Sequence, residues 1–248
     1  MIGSTMIALA IVAGSAGLLI GFTIFKRKSP PKFREIPAVT RLQKAVARAV
    51  EDGNRLHVSL GRGNLTSTQG AAGLAGLSAL KNLADLTSTS DRTPIATSGE
   101  PGLTMLSQDV MQTSYQKATG GGHFDASAAR LSGLTPFSYA SGTLPMMRDE
   151  HVSANILLGS FGVEAGLIAD AADRQKSFLL AASDNLPAQA VLYASAQEPL
   201  IGEELYAVSE YINHSPMHAA SLSVQDILRW ILIISMLLGA ILKLGGFL

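Results

Sequence analysis

The residue types best suited to chemistry are glycines, one arginine, one asparagine, one threonine and two glutamates that follow short, β-prone apolar runs. These residues are Gly61, Arg62, Gly63, Asn64, Thr66, Gly99, Glu100, Gly162 and Glu164. A glycine-rich turn that opens a helix presents backbone N–H groups to an anion, and Arg62 adds positive charge. This pattern predicts a site for a nucleotide or another anionic ligand. A plain strand–helix turn is the alternative, because the sequence contains neither a dinucleotide fingerprint nor a Walker A motif.

Carboxylates at three predicted strand ends suggest a second kind of chemistry. Glu100, Glu164 and Asp184 each follow a β-prone run. Paired carboxylates act as acid and base or hold a hard cation. The competing interpretation is that Glu164, in SFGVEAGL, belongs to the first turn of its own helix.

The histidines and the lack of cysteine argue against metal and thiol chemistry. The sequence has no cysteine, which excludes thiolate metal sites, iron–sulfur clusters and a cysteine nucleophile. His57 lies inside an apolar run and is expected to be a satisfied core histidine. His214 and His218 have the spacing of a metal pair, but Pro216 interrupts the helix between them. No G-x-S-x-G motif is present. We therefore expect no catalytic residue, metal or cofactor.

The composition indicates a membrane protein. Of 248 residues, 47% are hydrophobic and only 15% are charged, against about 25% charged in ordinary soluble domains. Residues 1–25 and 227–248 are apolar and each is long enough to cross a bilayer, which takes about 20 residues. The net charge of +0 argues against nucleic acid as a partner.

Basic residues beside the first apolar segment predict the orientation of the chain. Between positions 26 and 48 there are eight basic residues and one acidic residue, Glu35. The positive-inside rule then places the middle of the chain in the cytoplasm, with both helices in the bacterial inner membrane. Lys243 is a single opposing charge. The residues expected to form a lipid-facing basic collar are Lys26, Arg27, Lys28, Lys32 and Arg34.

Small residues at regular spacing predict close helix packing. The set comprises Ala13, Gly17 and Gly21 in the first apolar segment, Ser235 and Gly239 in the second, and Gly70, Gly73 and Gly76 in a predicted helix between them. Small residues four apart let helix backbones approach closely in lipid, whereas the three glycines three apart in the predicted helix suggest very close packing on a sheet or on a copy of that helix. They favour a homo-oligomer or a subunit of a membrane complex.

The region between the apolar segments alternates strand and helix patterns. A basic, proline-rich linker and an amphipathic helix fill residues 26–53, and an α/β domain covers 54–226. Strands are predicted at 55–60, 94–98, 136–140, 154–159 and 177–182, and helices at 68–86, 103–117, 143–149, 163–174, 187–196 and 203–212. Such alternation is typical of a doubly wound, mostly parallel, Rossmann-like sheet. Residues 118–130 are expected to be a loop, and Ser141-Gly142 a strand-end turn.

Four blocks of sequence also resemble a known family. They are LHVSLGRGNLTSTQGAAGLAGLSAL, SGEPG, LLGSFGVEAGLIADAA, and IGEELYAVSEYI with SLSVQDILRW. They resemble an uncharacterised, Chloroflexi-type family of bacterial membrane proteins with a domain of unknown function. The resemblance covers most of residues 54–230 and implies two terminal membrane helices around an α/β domain. It places the turns 61–66, 99–102 and 162–164 at the family's strand ends, and it supplies no activity.

Three functions are compatible with the sequence. The first is a non-catalytic membrane scaffold or accessory subunit, favoured by the small-residue helices and by the short connection between residues 198–211 and the second apolar segment. The second is a membrane-anchored sensor that binds a nucleotide or another anion at the strand-end turns. The third is an enzyme that uses Glu100, Glu164 or Asp184. The expected partners are membrane lipids and protein subunits.

Overall fold

A computed structural model describes residues 2–26, 34–88, 90, 92–120 and 124–245. The chain forms two units, a terminal unit (Met1–Arg34 with His214–Leu248) and a central unit (Glu35–Asn213). The elements in chain order are α1 (Ile2–Lys26), α2 (Pro37–Glu51), β1 (Arg55–Gly61), α3 (Gly70–Thr87), β2 (Ile95–Ser98), α4 (Pro101–Thr119), β3 (Ala129–Leu131), α5 (Pro136–Asp149), β4 (Val152–Ser160), α6 (Ala165–Arg174), β5 (Phe178–Ser183), α7 (Leu186–Ser195), β6 (Glu198–Leu200), α8 (Glu204–Ile212) and α9 (Pro216–Leu244).

The central unit is built on a six-stranded sheet with the order β3-β2-β1-β4-β5-β6. Every pair of neighbouring strands is parallel. The order reverses between β1 and β4, which is the arrangement of a Rossmann-like sheet. The predicted fold class, a doubly wound α/β sheet, is therefore confirmed.

The sheet is buried on both faces. Side chains alternate along a strand, so Leu56, Val58 and Leu60 of β1 point to one face and His57 and Ser59 to the other. The first face packs in one apolar core with α2, α3, α4 and α8. The second face packs in another core with α5, α6 and α7. Burial on both sides explains the apolar run of Ile156–Leu158 in β4 and that of Phe178–Ala182 in β5.

The third strand was predicted at the wrong place. Residues 136–140 open helix α5, and strand β3 lies at Ala129–Leu131, inside the segment expected to be a loop. The helix starts there because Thr135 and Ser138 form a reciprocal capping box and Pro136 occupies the first turn. Ser141 and Gly142 consequently lie within α5 and are not a strand-end turn. Residues 121–123 of the expected loop lie outside the described part of the chain.

Two smaller features were not predicted. Strand β6, which has three residues, pairs with β5 and forms the edge of the sheet. Helix α9 begins at Pro216, well before the predicted start of the second apolar segment at 227. Of the predicted basic collar, Arg27, Lys28 and Lys32 lie outside the described residues, while Lys26 ends α1 and Arg34 is exposed.

The terminal unit contains one long apolar helix and one shorter one. Helix α9 has the length and hydropathy needed to cross a membrane, whereas the apolar stretch of α1 runs only from Ala8 to Ile24. The two helices pack against each other. A Cβ added at Gly17, Gly21 or Gly239 would meet no described atom within 4 Å. Ala13 and Ser235, the other small residues singled out in these helices, are exposed.

The glycines of α3 lie in close contacts within the central unit. A Cβ at Gly76 would overlap the backbone carbonyl of Leu158 in β4. At Gly73 it would first meet Cδ1 of Leu103, at 2.7 Å, and at Gly70 the backbone of Leu65. Helix α3 can therefore lie directly on the sheet only because residue 76 is a glycine and has no side chain.

Replacement of Gly76 by alanine is expected to lower the free energy of unfolding by about 2 kcal/mol, because the new Cβ meets backbone that cannot rotate away. Gly73→Ala is the matched control. There the obstacle is the end of a flexible side chain, and a gain in helix propensity of about 1 kcal/mol offsets the repacking. Denaturant titration of the full chain in detergent, followed by circular dichroism, compares the two. Equal stability of both variants would contradict this contact.

Candidate functional site

The carboxyl edge of the sheet, where the strands end, is held together by backbone hydrogen bonds between neighbouring turns. The N–H of Gly99 donates to the carbonyl of Gly61 at 2.8 Å, and the N–H of Arg62 donates to the carbonyl of Ser160 at 2.8 Å. Gly61 has a φ of +73°, and a Cβ there would overlap the backbone of Ser160. The turns after β1, β2 and β4 are thereby joined at the point where the strand order reverses, the usual ligand position in such sheets.

An ion pair occupies this position. Nε of Arg62 donates to Oε1 of Glu164 at 2.9 Å, and the N–H of Gly162 donates to the same oxygen at 3.0 Å. The Glu164 side chain is 2% exposed and that of Arg62 is 22% exposed. The aliphatic part of Arg62 lies against Gly99, which has no room for a side chain. Because Glu164 neutralises Arg62, the positive charge that would attract an anion is already matched.

The remaining predicted site residues stabilise their own turns. Oδ1 of Asn64 accepts hydrogen bonds from the N–H and the hydroxyl of Thr66, at 2.9 and 2.8 Å, which forms an Asx turn. Oε2 of Glu100 accepts from the N–H of Leu103 at 2.6 Å and so caps α4. Gly63 packs close to the backbone of Gln69. These contacts within the fold explain why such residue types occur in the turns, and no ligand is needed to explain them.

The three strand-end carboxylates do not form one cluster. Glu100 follows β2 and Asp184 follows β5, and β1 and β4 lie between these strands, a separation of about 14 Å at the usual strand spacing. Oδ1 of Asp184 is buried and has no hydrogen-bond partner among the described residues. Within the same described part of the chain, no group of three or more histidine, aspartate or glutamate residues could hold a metal ion.

A buried polar network below the carboxyl edge was missed by sequence reasoning. It links side chains from β1, β2, β4 and α5 on the sheet face that packs against α5, α6 and α7. The hydroxyl of Tyr139 in α5 is hydrogen-bonded to the hydroxyl of Ser59 and lies 3.3 Å from the hydroxyl of Thr97. The members are His57, Ser59, Thr97, Tyr139 and Asn155, with Ser177 at the far end.

His57 lies at the centre of this network and is fully buried. Its Nδ1 is 2.9 Å from Oδ1 of Asn155, and its Nε2 is 2.8 Å from the hydroxyl of Thr97. Asn155 uses its Nδ2 to donate to Ser177 at 2.9 Å. The neutral tautomer with hydrogen on Nδ1 therefore donates to Asn155 and accepts from Thr97. The expected satisfied core histidine is confirmed.

Burial sets the protonation states in the network. Desolvation lowers the pKa of His57 to about 4, and the hydrogen bond with Asn155 only partly opposes this shift. Desolvation also raises the pKa of Tyr139, although hydrogen bonds from Ser59 and Thr97 act in the opposite direction. Both groups are neutral near pH 7. The network is suited to holding elements in register and has no ionised group for proton transfer.

The sequence contained a signal for this network. His57 and Ser59 alternate with Leu56, Val58 and Leu60, which places both polar residues on one face of a strand buried on both sides. Two polar side chains on a buried face require partners. The partner Tyr139 could not be found because its segment was assigned to a strand.

Replacement of Arg62 by methionine is expected to lower the free energy of unfolding by about 2 kcal/mol, because Glu164 then remains buried without its cation. The additional change Glu164→Met is expected to restore most of this loss, since it removes the unpaired charge. Denaturant unfolding of the two single variants and the double variant measures the coupling. Additive effects of the two changes would rule out a significant ion pair.

His57 should make the stability of the protein depend on pH. The unfolded histidine binds a proton below pH 6.5, whereas the folded one does so only near pH 4. The unfolded state therefore binds more protons in this window, and stability falls by about 3 kcal/mol as the pH drops through it. His57→Gln keeps hydrogen-bonding groups but cannot titrate there, so its unfolding free energy should depend less on pH. An unchanged slope relative to the wild type would refute this role.

Comparison with known proteins gives one match. No curated protein and no solved structure matches the chain. A family model described as "Domain of unknown function (DUF6754)" matches residues 3–247, nearly the whole chain. The predicted resemblance to an uncharacterised family is confirmed, whereas the Chloroflexi-type origin stays a prediction. The match includes both apolar helices as well as the α/β unit, and the chain therefore belongs to the DUF6754 family.

Proposed function

We propose that this protein is a non-catalytic, membrane-anchored assembly subunit. In this proposal the carboxyl edge of its α/β unit docks onto a protein partner, either another copy of the chain or a further subunit of a membrane complex. The observation that carries the proposal is a set of exposed apolar side chains at this edge.

The exposed apolar residues follow the ends of four parallel strands. Leu134 and Phe137 come after β3, Val163 after β4, Leu186 after β5 and Ile201 after β6. The first four are 64%, 69%, 58% and 76% exposed, and Ile201 is 44% exposed. Since the carboxyl ends of parallel strands share one edge, these side chains belong to one end of the unit. Exposed apolar groups concentrated in this way mark protein interaction surfaces.

Two of the three strand-end carboxylates at the same edge support assembly over catalysis. Glu100 caps α4, and Glu164 is paired with Arg62. A general acid or base needs a free lone pair or proton within reach of a substrate. These two carboxylates meet that need poorly, because their oxygens already accept hydrogen bonds from the fold.

A sensor for an anionic ligand at the strand-end turns is the second candidate and is less well supported. Its best feature is Arg62 beside glycine turns at the point where strand order reverses. Glu164, however, neutralises this arginine, and an incoming phosphate would have to displace the buried carboxylate. Assembly requires no such rearrangement.

Membrane anchoring is the other part of the proposal. The apolar length of α9 and the shorter apolar stretch of α1 support insertion of both helices. The eight basic residues between positions 26 and 48 support a cytoplasmic α/β unit beneath the bacterial inner membrane, with lipid beside the collar. Residues 213–215 connect α8 to α9. The exposed small residues of α1 and α9 remain accessible to helices of other subunits.

The double variant Phe137→Glu/Leu186→Glu is expected to lose its partner. Both positions lie in the first turn of a helix, where a negative charge is favourable, so the free energy of unfolding should change by no more than about 0.5 kcal/mol. The particle mass, measured by light scattering after extraction from native membranes, should fall to that of one chain with its detergent.

Tyr193→Glu is the matched control. Tyr193 is 71% exposed but lies near the opposite end of α7, away from the carboxyl edge. This variant should keep the wild-type mass and the same co-purifying proteins. A wild-type particle that is strictly monomeric and carries no partner would disprove the assembly proposal.

A further inference from the structure

A basic cleft lies at the opposite edge of the sheet, where the strands begin. It has a volume of about 420 Å³ and lies between α2 and the first residues of β4, β5 and β6. Its charged lining residues are Arg41, Lys44, Arg48, Asp52, Lys176 and Glu198. We call it the amino-edge cleft. Its volume falls within the usual range of small-ligand sites, roughly 300–1,000 Å³.

The positive charge in this cleft is largely unmatched. Arg41, Lys44 and Arg48 recur at helical spacing and so share one face of α2. Arg41 is bound to Glu198, with its Nη2 2.6 Å from Oε2. Among the described residues, Lys44, Arg48 and Lys176 have no carboxylate partner. In the described part of the chain, the lining therefore contains three cations without a carboxylate partner and one unpaired carboxylate, that of Asp52.

A buried hydroxyl in the cleft also lacks a partner. Oγ of Ser153, near the start of β4, is shielded from solvent and has no hydrogen-bond partner in the described structure. Buried hydroxyl groups are normally satisfied by protein, water or ligand. Ser153 lines the same cleft as the three cations, and its hydroxyl reaches a ligand oxygen there only after a change of rotamer, because the atom is shielded in this structure.

Lys176 adopts a backbone conformation that glycine would adopt more easily. It follows the end of α6 with a φ of +54°. The backbone N–H of Lys176 donates to the carbonyl of Asp173, and the N–H of Ser177 donates to the carbonyl of Ala172. These are the hydrogen bonds of a Schellman motif. Glycine is favoured at this position because other residues are strained there. Lys176 therefore brings a cation to the lining of the cleft at a cost in backbone strain.

We propose that the amino-edge cleft binds the phosphate group of an organic phosphate. Lys44, Arg48 and Lys176 supply charge-assisted hydrogen bonds to the phosphate oxygens, and the hydroxyl of Ser153 donates one more. The volume leaves room for an organic group attached to the phosphate. The ligand is either a soluble phosphate ester or the headgroup of an anionic phospholipid, since both present the same oxygens.

The first test measures ligand binding to the full chain in neutral detergent by calorimetry. The probes are sn-glycerol 3-phosphate and mixed micelles that contain phosphatidylglycerol, with micelles of phosphatidylcholine alone as the reference. The wild type should bind at least one anionic probe, and Lys44→Ala/Arg48→Ala should weaken that binding about tenfold or more. Arg92→Ala/Lys117→Ala removes two exposed cations outside the cleft and should change binding less than about twofold.

The probes distinguish the two sources of phosphate. Binding of glycerol phosphate identifies a soluble ester, and binding of phosphatidylglycerol micelles alone identifies a lipid headgroup. The proposal is overturned if neither anionic probe binds, if phosphatidylcholine alone binds as tightly, or if the cleft variant and the control variant lose binding equally.

Two further variants test the built features of the cleft. Ser153→Ala removes a hydroxyl that has no protein partner, so it should not lower the unfolding midpoint and should weaken binding about fivefold. Lys176→Gly should raise the unfolding midpoint and weaken binding. His151→Gly is its control, because His151 has a φ of +53° after α5 but does not line the cleft. Unchanged binding in both Ser153→Ala and Lys176→Gly would refute the site.

Discussion

The hydrogen-bonding requirement of two polar side chains in the centre of the sheet constrains much of the central unit. His57 and Ser59 lie on β1, whose faces are both covered, so neither can reach water. An unsatisfied polar group in such a place costs about 1–3 kcal/mol. The partners come from β2, β4 and α5, which must therefore adopt one register relative to β1. Apolar packing alone would tolerate small shifts that these directional bonds exclude.

The network also determines where α5 lies. Tyr139 is fully buried and reaches across the sheet face to Ser59. Gly142, one helical turn on, has no side chain and packs against the backbone of Ser132 beyond β3. Helix α5 is thus held between the centre of the sheet and its β3 side. Its first turn carries Phe137, so the same contacts position part of the apolar surface at the carboxyl edge.

The two edges of the sheet differ in the state of their charges. At the carboxyl edge, Arg62 and Glu164 neutralise each other and several large apolar side chains are exposed. At the amino edge, cations of α2 and Lys176 face a cleft with few carboxylates. A Rossmann-like sheet normally binds its ligand at the carboxyl edge. Here the unmatched cations lie at the other edge, and for this reason we propose the anion site there and a protein contact at the usual edge.

The sequence by itself determined the class of fold and the apolar termini, because strand and helix periodicity and long apolar runs are local properties. It also identified the turns after β1, β2 and β4, where glycines and charged residues follow apolar runs. The weak strands β3 and β6 were missed, since three residues carry too little pattern. Only the tertiary structure decided that Arg62 pairs with Glu164, 102 residues away. Likewise, only the fold brings Lys176 and Ser153 beside α2, because such contacts depend on strand order and not on neighbouring sequence.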